Sequence, residues 1–371
     1  MNKMISTVFV SLGLLSGMSC QNSNNSSEVK VTNGVLGQPK ALTAVISQDG
    51  CTGTFVSPTV ILTAAHCADK GFTYKGVRTK SFQSMPEAIG KPWNFDIDVR
   101  ILVFPSDVAP AYIPVSTARV KGDELIVFAG YGTYDLKNNK NDGKFRWGTG
   151  RLGGFEADEH LVASHGSDLE RIAGTEGTNS GVGPGDSGGP LLRDGMLIGI
   201  ASAVAGEGND RHKSVHVNLT QPDILAFLKE AKKNGADIRF DEKPTIPYEE
   251  CFDVDSTKEM NSFLFTVPHR QISSVSGSWS TCSCEDCALT DAKGYTTGTL
   301  SEFRPDYENV PAGALLVWSK RATDANNKKV DKEGFWNGSA MMFKEMAFGA
   351  DMKIHDNSLT GNKGTVKVCF Q

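Results

Sequence analysis

The sequence predicts a mostly β protein of two domains behind an export segment. Three observations carry that prediction. Short apolar or alternating runs, broken by Gly, Pro, Asn and Asp, follow one another from residue 31 to about residue 237. Glycine is abundant, at 39 of 371 residues, as a turn-rich β fold requires. Apart from Cys20, two cysteines lie in the first half and five after residue 250, in a chain longer than one core usually encloses.

Hydrophobic content of 39% and charged content of 22% describe an ordinary globular protein, neither disordered nor membrane-embedded. The net charge is −5 and the basic residues are scattered, so no nucleic-acid partner is expected.

Residues 1–20 read as a signal peptide for export. Lys3 precedes an apolar run at 5–15, and the small residues Gly17 and Ser19 follow. The run is too short for a permanent membrane span. Cys20 opens a Ser/Asn-rich tether over 21–30, a pattern similar to bacterial lipoproteins, in which this cysteine is lipidated. Gly17 departs from the aliphatic residue that pattern prefers. The alternative is ordinary cleavage nearby, leaving Cys20 as an unpaired thiol.

Strands are expected at 42–47, 59–63, 99–104, 125–129 and 196–201. One strong helix is expected over 222–234. Ile224, Leu225, Phe227, Leu228 and Ala231 share one face, while Lys229, Lys232 and Lys233 stay outside. Thr220 with Asp223 reads as its start and Gly235 as its stop. Residues 240–248 are polar, hold two prolines and read as a linker. Residues 249–371 then carry strand-like runs at 263–267, 314–318 and 365–370.

Peptide hydrolysis at neutral pH needs a nucleophile, a base for its proton and donors for the oxyanion. Gly185-Asp186-Ser187-Gly188-Gly189-Pro190 offers a serine on a turn tight enough to aim two backbone N–H groups at one oxygen. Leu62-Thr63-Ala64-Ala65-His66-Cys67 offers a base, and Cys51-Thr52-Gly53-Thr54 stands upstream of it. Together these segments resemble the trypsin/chymotrypsin family over residues 31–239.

The resemblance implies a double β-barrel closed by a C-terminal helix, acting on protein or peptide substrates without metal or organic cofactor. It assigns Ser187 as nucleophile, His66 as base and the N–H groups of Gly185 and Ser187 as the oxyanion hole. It pairs Cys51 with Cys67 in a disulfide that fixes the histidine loop. The orienting carboxylate is Asp96 or Asp98. Asp98 is favoured because the strand that follows it is interrupted only by Arg100. The order His, Asp, Ser matches chymotrypsin.

Val31-Thr32-Asn33-Gly34 is similar to the family's mature amino terminus, with Lys30 as the site for an activating protease. The resemblance then has the new amino group of Val31 pair with Asp186. The position that carries a pocket aspartate in trypsin-like members is Gly181 here. The pocket wall reads Ser202-Ala203-Val204, and the third pocket position aligns with about Ser214. The expected preference is therefore a small or medium uncharged residue before the cleaved bond, not Lys or Arg. Several cysteines common in animal relatives are absent, which suits a bacterial member.

The resemblance stops before residue 249. Cys282, Cys284 and Cys287 allow a metal site completed by His269 or His355, but in an exported chain disulfides are expected, with Cys251 joined to Cys369. Five cysteines leave one unpaired. No catalytic constellation is visible there, and a β-rich accessory domain for binding or stability is expected. The rival reading of the whole chain is a protease-like binding protein with little turnover, acting through that domain.

Overall fold

The computed structural model describes residues 34–67, 71–85, 97–122, 124–135, 138–156, 161–166, 181–205, 213–242, 249–280, 289–294, 314–320, 332–335, 341–354 and 362–370. The expectations for Cys20, Lys30, Val31, Asp96, Cys282, Cys284, Cys287 and His355 fall outside them.

The chain begins with β1 (Val35–Leu36), β2 (Val45–Gln48), β3 (Cys51–Ser57), β4 (Val60–Thr63), β5 (Thr73–Tyr74), β6 (Val77–Arg78), β7 (Ser81–Ser84) and β8 (Arg100–Val103). Strands β2-β3-β4-β8-β7 form one five-stranded antiparallel sheet, and β5 pairs with β6. Phe55, Ile61, Leu62, Ile101 and Phe104 are buried in the core that this sheet helps to enclose. The expected strand at 42–47 is shorter than its apolar run. Lys40–Leu42 is a 3₁₀ turn, and Gln38 Nε2 donates to the carbonyls of both Leu42 and Val45.

The second sheet contains β9 (Leu125–Gly130), β10 (Arg146–Glu156), β11 (Leu161–Gly166), β12 (Pro190–Arg193), β13 (Met196–Ala205) and β14 (Lys213–Asn218). Its order is β10-β11-β14-β13-β12-β9, and β9 pairs again with β10, so the six strands close on themselves. Closure removes the free edges that an open sheet would leave. β1 joins β10 at Arg146 and Trp147, before the β11 pairing begins at Gly150.

Helix α1 (Pro222–Lys233) follows β14 and presses the predicted face inward. Ile224 and Leu228 are fully buried, each contributing about 2 kcal/mol of apolar transfer. They share a core with residues of both barrels, among them Phe55, Val127, Leu197 and Val215. The helix start differs from the expected capping box. Gln221 is the N-cap, Thr220 Oγ1 donates to Asn218 Oδ1 and Asp223 accepts from the next amide, Ile224. Pro222 presets the first turn without needing a donor partner. Gly235, with φ of +97°, ends the helix as expected.

The C-terminal strands are β15 (Glu250–Asp255), β16 (Asn261–Ser280), β17 (Leu315–Lys320), β18 (Lys332–Phe335), β19 (Met341–Ile354) and β20 (Lys363–Phe370). They form one antiparallel sheet in the order β15-β20-β16-β19-β17-β18. Its core, with Phe265, Trp279 and Phe370, is separate from that of the barrels. Cys251 stands opposite Cys369 in the β15–β20 ladder, and the two are joined as a disulfide. Among the described residues no helix is long and apolar enough to cross a membrane.

Candidate active site

Strand register brings the first two site residues together. Thr63, at the end of β4, pairs with Arg100, at the start of β8. His66 lies three residues beyond one and Asp98 two residues before the other, so both leave the sheet at the same edge. His66 sits in a 3₁₀ turn (Ala65–Cys67) locked by the Cys51–Cys67 disulfide.

Asp98 is buried and accepts three hydrogen bonds. His66 N–H reaches Oδ1 at 2.9 Å, and His66 Nδ1 lies 2.6 Å from Oδ2. Ser202 Oγ donates to Oδ2 at 2.7 Å. A carboxylate only accepts, so it places the ring proton on Nδ1 and leaves Nε2 free to take one. Ser202 was expected in the pocket wall, and its hydroxyl contact with Asp98 had no signal in the sequence. The cause is a β-bulge: β13 pairs Ala201 with His216 but Ala203 with Val215, so Ser202 is the extra residue.

The serine turn docks onto the same corner. Thr52 N donates to the Ser187 carbonyl at 2.8 Å, and Cys67 Sγ lies 3.5 Å from that oxygen. Ser187 therefore rests against the residue that follows His66. Gly188, with φ of +82°, makes this possible. A Cβ there would lie 2.1 Å from Thr63 Oγ1 and 2.2 Å from the Thr52 carbonyl. Gly185 has φ of +95°, a left-handed conformation that side chains disfavour.

Asp186 points away from the turn into the second barrel, where the amides of Gly132 and Gly183 each donate to it at 2.8 Å. Burial pushes its pKa up to about 7. The two amide donors and the charge of Arg146 only partly offset that effect. Arg146 is itself buried and forked onto Asp142, and that hydrogen bond holds Asp142 down to about 2. Arg146 went unnoticed in the sequence because the carboxylate that feels its charge, Asp186, lies 40 positions away.

Gly181, Val204 and Ser214 also meet. Val204 faces Ser214 across the β13–β14 ladder. Ser214 Oγ accepts from Val182 N at 2.9 Å and would lie 3.2 Å from a Cβ on Gly181. His216, two residues along β14, is fully buried, and burial pushes its pKa down to about 3. It is neutral at physiological pH.

With this geometry in place, comparison with known sequences is decisive. The sequence model described as Trypsin matches residues 31–223, just over half of the chain. The chain belongs to the trypsin family. A trypsin of Simulium vittatum is 30% identical over 173 residues, covering 41% of this chain and 69% of that protein. A putative peptidase of Corynebacterium glutamicum is 29% identical over 171 residues, covering 44% of this chain and 57% of that protein. An uncharacterized peptidase of strain R of the same species is 28% identical, with the same coverage. The trypsin-family chain thus spans a little over half the length of these two bacterial relatives. Among solved structures, mouse brain neuropsin, a serine protease, matches with a TM-score of 0.45 and 16% identity. That match covers 54% of this chain and 99% of the other.

The Asp186 environment makes a measurable prediction for the unprocessed chain. The folded state holds the Asp186 proton up to about pH 7, whereas the unfolded chain releases it near pH 3.9. Between these values the folded state binds more protons, so stability falls as pH rises, by at most about 1.4 kcal/mol per pH unit. Urea midpoints should show this downward slope from pH 4 to 7, and Asp186→Asn should flatten it. Equal slopes in both proteins would contradict the assignment.

Proposed function

We propose that this trypsin-family chain is an exported serine endopeptidase that cleaves through an acyl-enzyme. The observation that carries the reading is the buried Asp98, hydrogen-bonded to His66 beside the docked Ser187 turn. In this mechanism Ser187 Oγ attacks the substrate carbonyl carbon while His66 Nε2 takes its proton. The N–H groups of Gly185 and Ser187 hold the developing oxyanion. His66 then gives the proton to the departing amine, and water repeats the sequence on the acyl-enzyme. Asp98 holds the ring and stabilises the imidazolium, and Ser202 holds Asp98. Residues 249–371 act as an accessory domain beyond a linker at 240–248.

Export is supported by the two disulfides, which belong to an oxidising compartment. Activation follows cleavage of the Lys30–Val31 bond. Asp186 is a buried carboxylate whose amide donors leave its desolvation only partly offset. An ammonium group at Val31 supplies the missing charge, and ordering the 183–187 turn around it completes the oxyanion hole. β1 begins four residues beyond Val31 and pairs with Arg146, whose charge is felt at Asp186.

Selectivity follows from Gly181, Val204 and Ser214. None carries charge, and the nearby His216 stays neutral. A lysine entering this pocket loses hydration without a carboxylate to compensate, a cost of several kcal/mol. A large ring meets Val204, whereas Ala, Val, Thr or Leu fills the space.

Ser187→Ala or His66→Ala should each lower turnover by roughly six orders of magnitude, and the double variant should add little. Near-wild-type hydrolysis by either would overturn the mechanism. A peptide library should be cut after small or medium aliphatic residues, with Lys and Arg disfavoured about 100-fold, or ~2.7 kcal/mol. Cleavage mainly after Lys or Arg would show that the pocket is differently lined. The active material used should begin at Val31 by mass analysis, and full activity with Lys30–Val31 intact would exclude this activation route.

A further inference from the structure

We propose that Thr52 is a positioning residue for the oxyanion hole, clamping the carbonyls of the two residues, Gly185 and Ser187, that supply its N–H donors. The inference rests on the peptidase reading given above. Thr52 is fully buried in β3, one residue after Cys51. Its hydroxyl donates to the Gly185 carbonyl at 3.0 Å, and its amide donates to the Ser187 carbonyl at 2.8 Å. Thus one residue of the first barrel grips both ends of the three-residue segment that must present two N–H groups to one oxygen.

The other atoms of Thr52 are also committed. Its hydroxyl oxygen accepts from Tyr131 N at 3.2 Å, and its carbonyl accepts from Thr63 Oγ1 at 2.8 Å. A hydroxyl has one proton, and here Gly185 receives it while Tyr131 occupies a lone pair. Tyr131 precedes Gly132, whose amide holds the Asp186 carboxylate. Thr63 precedes the histidine turn. Thr52 is therefore bonded to the serine turn, to the Asp186 pocket and to the strand that delivers His66.

Gly185 makes a clamp necessary. At φ of +95° it has no side chain to restrict its rotation, and glycine moves between backbone wells more freely than any other residue. Fixing its carbonyl fixes the Gly185–Asp186 peptide, whose N–H is held at the other side by the Gly183 carbonyl at 2.9 Å. Without the Thr52 hydroxyl, both the Gly185 carbonyl and the Tyr131 amide lose this partner in a part-buried setting. Misplaced oxyanion donors weaken transition-state binding while leaving ground-state binding unchanged.

Thr52→Val keeps the shape and removes the hydroxyl, and Thr52→Ser keeps the hydroxyl. Each full-length chain, processed as the wild type is, would be assayed with a peptide substrate and two matched inhibitors. One is a peptide aldehyde, whose serine adduct places oxygen in the hole; the other is the corresponding alcohol, which forms no adduct. T52V should lower kcat at least ~10-fold, below the loss of ~100-fold or more for deleting a donor outright. KM should stay within about twofold, aldehyde affinity should fall in step with kcat, and alcohol affinity should hold. T52S should stay within about threefold of wild type in every readout, as conservation of the hydroxyl requires. T52V with wild-type kcat and aldehyde affinity overturns the inference, as does T52S failing as badly as T52V. If T52V does not fold, Thr52→Ala carries the same comparison. A wild type that neither turns over nor binds the aldehyde overturns the peptidase reading, and this inference with it.

Discussion

The approach of the glycine turn at 185–189 to the first barrel is the constraint on which the rest of the site depends. Gly188 lies so close to Thr52 and Thr63 that any side chain would overlap their oxygens. Gly189 is similarly confined, with the Ala129 carbonyl 2.5 Å from where its Cβ would stand. Overlap with the Thr52 and Ala129 carbonyls cannot be relieved locally, because these are backbone atoms within paired strands. The two sheets, which also share one hydrophobic core, are thereby held against each other. Ser187 meets the histidine turn as a consequence of backbone contact, and no long side chain is needed to hold it there.

The site also depends on two buried carboxylates in different electrostatic states. Asp98 receives three donors, two of them from His66. Among the described residues Asp186 receives two amides, and burial raises its affinity for a proton. The first arrangement is complete and can orient a base continuously. The second is incomplete, and a cation delivered to it would gain more than one delivered to a solvated carboxylate. This asymmetry is the physical basis for treating Asp98 as catalytic support and Asp186 as the receiver of an activation signal.

Much of this was legible in the sequence. Strands β4, β8 and β9 lie within a residue of their apolar runs, and the face of α1 follows its 3.6-residue period. The Cys51–Cys67 and Cys251–Cys369 pairs also appear as expected. The parts that escaped detection depend on tertiary contacts. Ser202 reaches Asp98 through a bulge, and a one-residue insertion in a ladder has no periodic signature. Thr52 and Arg146 matter through partners 133 and 40 positions away respectively. The N-cap position of α1 is Gln221, which makes no side-chain capping bond, and the Thr220 hydroxyl is bonded back to Asn218.

The central claim is that the docked glycine turn generates an activated serine at position 187. Reaction of the processed full-length chain with a fluorophosphonate probe tests it directly, because only an activated serine is phosphonylated at an appreciable rate. Peptide mapping should find one label, on Ser187, in the wild type. Gly188→Ala, with its Cys51–Cys67 disulfide verified as intact, should lose labelling by at least ~100-fold, on the order of removing an oxyanion donor. A label on another residue, or wild-type labelling in Gly188→Ala, would contradict the account.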